Sequence, residues 1–518
     1  MKRAGLLQGQ GTLYFGQSPS KYDLSLPGDG HSILIGGAGS GKSAEFLLPN
    51  LLKLGLDSAA LVLDCKGELS AVTMASHAPR NIQAYYINPY GLHTGNPWFI
   101  PQHRLFPLDY IDPDSPTFTA DIRMTMEALI PIQSGTKDDY WEERARLWCA
   151  ALMKFLAVSF GHVDILEFYR LLNIIKGDFG KFEQIARDYI IPLGMDDVTS
   201  VVQDILYERR EAGRTYAGVI SNIFKNIAWL DDPSLQACFS SQDFSMKILT
   251  EPRHRVFIIL PAEYMGIYKS FLRLLILAGM IYKQRAPQAG RVLFALDEAG
   301  QLGYSESIER AYTYGRGAGI RMLAIFQSLG QLSGYPANGQ NVMASASLRL
   351  FMGTRDYPTA ELVSKSLGER TYEYIDPKHQ AMARQQKAQA LLSMLQSNQD
   401  PFAAAVAAVH ASRSATLGDR MSRALLAPDE VLNLPQNQLI ALTSGMNCPP
   451  ILAGKVPYWL REDMAGLFLP NPYHPPYDSI TVPLGRMKTA QKRVICERVP
   501  ERLQHYPQYQ QGYLSRLS

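Results

Sequence analysis

No apolar run long enough to cross a bilayer is visible in the 518 residues. The longest, SFLRLLILAGMIY starting at Ser270, is cut by Arg273 and flanked by Lys269 and Lys283. A span needs ~20 largely apolar residues, so any membrane attachment is expected to be peripheral, at a cytoplasmic face. The start, MKRAGLLQGQGTLYFG, has no apolar core of signal-peptide length. Cysteine is scarce and scattered: Cys65, Cys149, Cys238, Cys448 and Cys496 stand singly. That excludes a disulfide scaffold and a zinc ribbon, and it fits a reduced cytosolic compartment. The 10 histidines are equally dispersed. Charge of either sign is also lacking in excess: Lys+Arg 51 against Asp+Glu 48 leaves +3. Nucleic acid is not announced by such a balance, and any DNA contact must come from a local patch or a ring of loops. No internal repeat is visible.

What is present is an ordinary globular composition, 46% apolar and 19% charged. The length suits two to four domains of ~150 residues. Short apolar runs ending in polar loops recur at 31–37, 59–64, 82–87, 255–261, 291–297, 321–328, 348–354 and 438–445. Runs this apolar read as strands covered on both faces, with helical stretches between them. The expectation is an α/β fold with a largely parallel sheet. Residues 101–250 differ, because DDYWEERARLWCAALMKFLAVSF and the segments after it place apolar residues three and four apart. This predicts an all-α domain inserted between two strands. The expected boundaries are a nucleotide-binding domain from 1–100 and 251–462, the helical insert at 101–250, and an appendage at 463–518. A partly helical, partly mobile insertion is expected near 374–420.

GGAGSGKS at 36–43 matches the phosphate-loop pattern G-x-x-x-x-G-K-[ST]. A loop wrapping a β-phosphate this closely leaves no room for side chains. Gly36, Gly37, Ala38, Gly39, Ser40 and Gly41 therefore supply backbone N–H groups to the anion. The next helix presents its N-terminus to it. Lys42 would neutralise charge between the β- and γ-phosphates, and the Ser43 hydroxyl would ligate Mg²⁺. RVLFALDEAGQL adds an acidic pair at a strand end. Asp297 suits a metal ligand acting through water, and Glu298 a general base. Helix capping at Asp297 is compatible with both. Asp64 and Lys66 in VLDCKGEL lie at the carboxyl edge where open sheets bind ligands, although a plain surface turn explains them equally. In YTYGRGAGIRMLAIFQSLGQL, Gln327 ends a strand beside that of Asp297 and could sense the γ-phosphate or the attacking water. Arg316 reads equally as a solvated loop cation or as an arginine finger.

Together, GGAGSGKSAEFLLPNLL, LVLDCKGELS, INPYG, DYWEERARLWCAALMKFL, FSSQDFSMKIL, LDEAGQLG, YGRGAGIRMLAIFQSLGQL, TRDYPTAELVSKSLGERT and LLAPDEVLNLP resemble one family. It is the type IV secretion coupling proteins of the TraG/TraD type, the ATPases linking a relaxase–DNA substrate to a conjugation channel. The resemblance spans about 10 to 460 in order. The phosphate loop is generic, while DCKGEL and GRGAGIRMLAIFQSLGQL are far more specific. The resemblance implies a RecA-like P-loop domain with an inserted all-α domain, ATP and Mg²⁺ as ligands, and hexamers with sites between subunits. It gives Arg316 the role of a finger acting on a neighbour's nucleotide, and Gln327 that of coupling hydrolysis to movement. It also implies partners: single-stranded relaxase-bound DNA, relaxase, accessory or effector proteins, and channel components. Family members usually begin with transmembrane anchor helices, whereas this sequence begins almost at the phosphate-loop domain. A hexamer when active and a monomer in isolation is the resulting expectation.

Three functions follow for weighing. A motor would pump DNA or attached protein toward the channel. A receptor would bind substrates through the all-α domain, with ATP controlling assembly. A related chromosome-segregation or packaging pump fits the two specific segments less well. In the tail, Tyr473, Tyr477, Tyr506 and Tyr509 are expected to pack the appendage onto its own domain. The basic segment around Lys488, Lys492 and Arg493 is expected either to touch DNA or an anionic surface, or to be a solvated amphipathic helix.

Overall fold

Uninterrupted apolar stretches such as VLFAL and IRMLAIF are buried along their whole length, as strands shielded on both faces must be. The computed structural model describes residues 1, 4–7, 13–132, 139–374, 377–393, 401–414, 419–464, 466–473, 479–484, 488–505 and 513–517. Its strands, in chain order, are β1 (Leu13–Gln17), β2 (Asp23–Leu26), β3 (His31–Gly36), β4 (Ala59–Asp64), β5 (Gln83–Ile87), β6 (His254–Ile259), β7 (Val292–Leu296), β8 (Ile320–Phe326), β9 (Ala346–Met352), β10 (Glu369–Tyr374), β11 (Asp419–Ala424), β12 (Gln438–Thr443), β13 (Ile451–Gly454), β14 (Ser479–Pro483), β15 (Thr489–Arg498) and β16 (Tyr513–Leu517). Contacts divide the chain into two compact units, Met1–Gly353 with Pro435–Ser518, and Thr354–Leu434.

The first unit is built on an 11-stranded sheet of order β2-β1-β13-β12-β9-β3-β8-β7-β4-β6-β5. From β9 to β5 every pairing is parallel, while β12, β13, β1 and β2 add antiparallel neighbours on the other side. The strand carrying the phosphate loop, β3, lies inside this sheet between β9 and β8. Tyr312 fixes two of its neighbours: its hydroxyl donates to the Ser32 carbonyl at 2.8 Å and accepts from Ala324 N–H at 3.2 Å.

Between β5 and β6 the described residues are helical and contain no strand. In Tyr140–Phe160 the buried residues Ala145, Trp148, Cys149, Leu152, Met153 and Leu156 recur at three and four, giving one apolar face. Asp164 begins the next helix, Ile165–Gly177, by accepting from Leu166 N–H at 2.8 Å, a cap whose loss costs ~1 kcal/mol. Arg273, the residue that breaks the long apolar run, is buried in helix Lys269–Arg285. Its guanidinium donates to the carbonyls of Ala128 (2.8 Å) and Leu302 (2.8 Å) and to Ser270 Oγ (3.0 Å). Buried cations need such partners. No helix of the described residues is long and apolar enough to cross a membrane.

The tail does not follow the helical alternative for its basic segment. Lys492 and Arg493 lie on strand β15, which pairs with β14 and β16, and Lys488 just precedes it. Two flanking strands satisfy its backbone and overrule the charge pattern. Tyr473 packs the tail down: its hydroxyl donates to the Lys66 carbonyl at 2.8 Å. Tyr477, Tyr506 and Tyr509 lie outside the described residues.

The second unit carries the β10–β11 antiparallel ribbon, ending at the pair Tyr374↔Asp419. Within the insertion expected at 374–420, Pro377–Ser393 and Pro401–Ser414 are helices. The unit also contains helix Tyr357–Leu367, which Asp356 caps by accepting from Thr359 N–H at 3.0 Å.

Candidate functional site: the phosphate loop and its acids

Gly36 ends β3, and the chain turns through Gly37–Gly41 into a π-helical turn, Lys42–Leu47, that continues as Leu48–Lys53. Gly41 has φ 86°, and a Cβ there would stand 2.2 Å from Glu45 Oε2. The left-handed backbone favours glycine at this point. Residues Ala38–Glu45 form one wall of a cavity of about 480 Å³. Asp297, Glu298 and Gln327, from the ends of β7 and β8, line it too.

Three of the expected residues make direct contact. Lys42 Nζ donates to Glu298 Oε1 at 2.9 Å, and Gln327 Nε2 donates to Glu298 Oε2 at 2.8 Å. Gln331 braces the group, its side-chain oxygen accepting from Gln327 N–H at 2.7 Å. Glu298 holds φ 55°, left-handed for a residue with a side chain. Such strain costs about 1–3 kcal/mol and clusters at working sites. Its carboxylate takes up the Lys42 ammonium.

Asp297 is buried, and Cys65 Sγ donates to its Oδ2 at 3.1 Å. Burial pushes its pKa up to about 7, with the Glu298 and Asp64 carboxylates adding and the Cys65 contact and Lys42 opposing. Among the described residues no cluster of three or more His, Cys, Asp or Glu could hold a metal. Ser43 and Asp297 nevertheless line the same cavity. Two hard oxygen donors with room for water and phosphate oxygens fit Mg²⁺, which is seldom caged by protein alone. Buried Ser40 Oγ has no hydrogen-bond partner and sits in the same loop.

The two readings of DCKGEL separate. Asp64 is fully buried and accepts from Ser70 N–H and Ser70 Oγ, both at 2.7 Å, so it anchors helix Glu68–Thr73. Lys66 and Glu68 do line the cavity. Asn471 of the tail donates to Glu68 Oε1 at 2.6 Å.

Arg316 is not brought to this cavity. It is exposed in the turn Gly315–Ala318 immediately before β8. Since β8 runs parallel to β3, that turn lies at the opposite edge of the sheet from the phosphate loop. There it faces buried His31, whose pKa is lowered to about 4, mainly by burial and further by Arg316 and Arg321. Met322 N–H donates to His31 Nδ1 at 3.1 Å, which a neutral ring accepts.

Lys455 escapes sequence reasoning. It follows β13, and its side chain is 3% exposed. Its ammonium donates to the Ser40 carbonyl at 2.5 Å and pairs with Glu45 Oε2 at 2.7 Å. Burial raises the Glu45 carboxyl, and Lys455 opposes that shift. AGKVPYW carries no motif, and only the return of β12 and β13 to the sheet places this lysine under the loop. Trp459 and Cys65 also line the cavity, again without a spacing signal.

A family model described as Type IV secretory system Conjugative DNA transfer matches residues 2–391 and 405–474. The chain belongs to that family. A conjugal transfer protein TraG of Rhizobium radiobacter is 26% identical over 458 residues, covering 86% of this chain and 65% of its own length. Protein VirD4 of the same organism is 23% identical over 444 residues, covering 85% and 58%. The chain thus spans less than two thirds of the curated relatives' length. The plasmid coupling protein TrwB, solved with ADP and Mg²⁺, matches with TM-score 0.59 and 16% identity, covering 88% of this chain and 91% of that one. At this identity the likeness speaks for the fold. The fold is α/β and RecA-like, with a helical domain between two sheet strands.

Proposed function

We propose that this family member binds MgATP at residues 36–43, hydrolyses it, and uses the turnover to drive a relaxase–DNA or effector-protein substrate into a type IV secretion channel. The observation carrying this reading is the contact of Lys42 and Gln327 on the two oxygens of Glu298 inside the phosphate-loop cavity. TrwB has been solved with ADP and Mg²⁺ and with a non-hydrolysable ATP analogue, which supports the same ligand class here.

The loop amides and Lys42 bind the phosphates. Once Lys42 turns to them, Glu298 is free to accept a proton from water, and Gln327 holds that water in line. Ser43 and Asp297 would hold Mg²⁺, which neutralises phosphate charge when bound. Arg316 acts from the far edge of a neighbouring copy, completing the site only in a head-to-tail ring. The helical block supports the recruitment part of the reading. Phe155, Phe160, Leu171, Ile174 and Tyr189 line an open cleft of about 540 Å³, with Phe160 64% and Tyr189 65% exposed. Exposed aromatics of this kind mark partner surfaces.

The test is ATPase rate against protein concentration, with and without DNA, alongside a mass measurement of the assembly. A motor shows DNA-stimulated turnover that rises as the chain oligomerises. Flat turnover with DNA, together with relaxase or effector peptides binding the helical block, supports the receptor reading instead.

A further inference from the structure

After β13 the chain runs beside the phosphate-loop helix from one end to the other. Lys455 meets Ser40 and Glu45 where that helix begins. At its far end Lys53 pairs with Asp463 at 3.1 Å. Between them Arg461 binds Asp23 and Asp463 and lies 4.4 Å from the Tyr14 ring centre. The Tyr14 backbone N–H in turn donates to Asn50 Oδ1 of the helix at 2.7 Å, and its carbonyl accepts from Asn50 Nδ2 at 2.9 Å. Tyr458 is fully buried, its ring edge-on to Phe468 at 4.7 Å. This strap is fixed at every turn, and Trp459 sits in its middle.

Trp459 is only partly buried. Its ring stands 5.0 Å from that of Tyr458 at 84°, and it lines the phosphate-loop cavity. Of the five tryptophans it alone does so. We propose that Trp459 is the platform on which the base of the bound nucleotide stacks; the inference rests on the nucleotide reading given above.

The direction of the site supports this. Lys42 points to Glu298 and Gln327, so the terminal phosphate belongs on that side. The chain then leads away through Ser43 and Ala44 to Glu45, which Lys455 of the strap holds. A triphosphate laid along those residues delivers its nucleoside toward the strap. An indole backed by a buried tyrosine and lining the phosphate-loop cavity offers a base the face it needs. Every base has a π-face, so stacking of this kind tolerates both purines. Trp459 therefore contributes affinity for the nucleoside without selecting adenine over guanine.

Calorimetry on the full chain with Mg²⁺ distinguishes this role from packing, using ATP, GTP and inorganic tripolyphosphate as probes. Trp459→Ala should weaken ATP and GTP about ten-fold or more and leave tripolyphosphate unchanged, while Trp459→Phe restores most of the loss. Unchanged ATP affinity in Trp459→Ala overturns the proposal. So does an equal loss for tripolyphosphate, which would mean the strap merely shapes the loop. Indole emission of the unaltered chain gives a second readout independent of variant folding. ATP should quench it, tripolyphosphate should not, and Trp459→Phe should lose the response; no difference between the two ligands overturns the assignment. Wild-type chain that takes up neither ATP nor tripolyphosphate removes the nucleotide reading as well. Wild-type uptake with an unaffected Trp459→Ala removes only the platform.

Discussion

The two edges of the central sheet are built on opposite plans. At the carboxyl edge, loop, lysine, acids and glutamine close on one another within a few ångströms. At the amino edge Arg316 stands exposed in a glycine turn, and its charge helps to lower the pKa of buried His31. One edge gathers the phosphate-loop pattern, with Lys42 and Gln327 both in contact with Glu298. The other carries an exposed cation at the opposite end of the parallel strands. In the function proposed above, what one copy's site lacks is brought by another copy's amino edge.

The comparison can be broken at either edge. Lys42→Ala at the carboxyl edge should abolish both MgATP uptake and turnover, read by calorimetry and phosphate release. Arg316→Ala at the amino edge should lower turnover about 10³-fold or more with ATP affinity intact. Mixing Arg316→Ala with Lys42→Ala subunits should restore part of the rate, and no recovery in confirmed mixed rings would remove the finger from Arg316. Glu298→Gln should slow hydrolysis about 10²–10⁴-fold while bound ATP persists, and a normal rate there would end its role as base. A smaller effect, about ten-fold in ATP affinity by the loss of one charge-assisted bond, is expected of Lys455→Met. His31 sharpens the other edge. Its folded pKa near 4 lies below the ordinary 6.5, so the unfolded chain binds the extra proton first. Its contribution to stability is complete above pH 6.5 and is lost as pH falls toward 4. In Arg316→Ala the His31 pKa should rise, since a neighbouring positive charge is gone; histidine NMR titration reads it.

How much of this was legible depended on the range of the interactions. The strands β3, β4, β7 and β8 were readable because two-sided burial leaves an unbroken apolar run. The short strands β1, β2 and β13, only four or five residues long, carry no such run and went unassigned. The loop residues Gly36–Ser43 and the pair Asp297 and Glu298 announce themselves, since phosphate and metal chemistry restricts the residue types locally. Lys455 could not, because its partner Ser40 lies 415 positions away and any long donor would read alike. Asp64 shows the reverse error in principle: a carboxylate at a strand tip looks functional, yet Ser70 consumes it. Arg273 signalled only what the run around it was not, while its real work, satisfying two distant carbonyls, left no trace in spacing.

That arginine has a mechanical consequence. Leu302 closes the short turn that Glu298 opens, and Ala128 lies near the end of helix Phe118–Leu129 of the helical block. A rigid planar fork clasps both. Helix end and turn are therefore tethered to one side chain, and neither can shift without disturbing a bond to it.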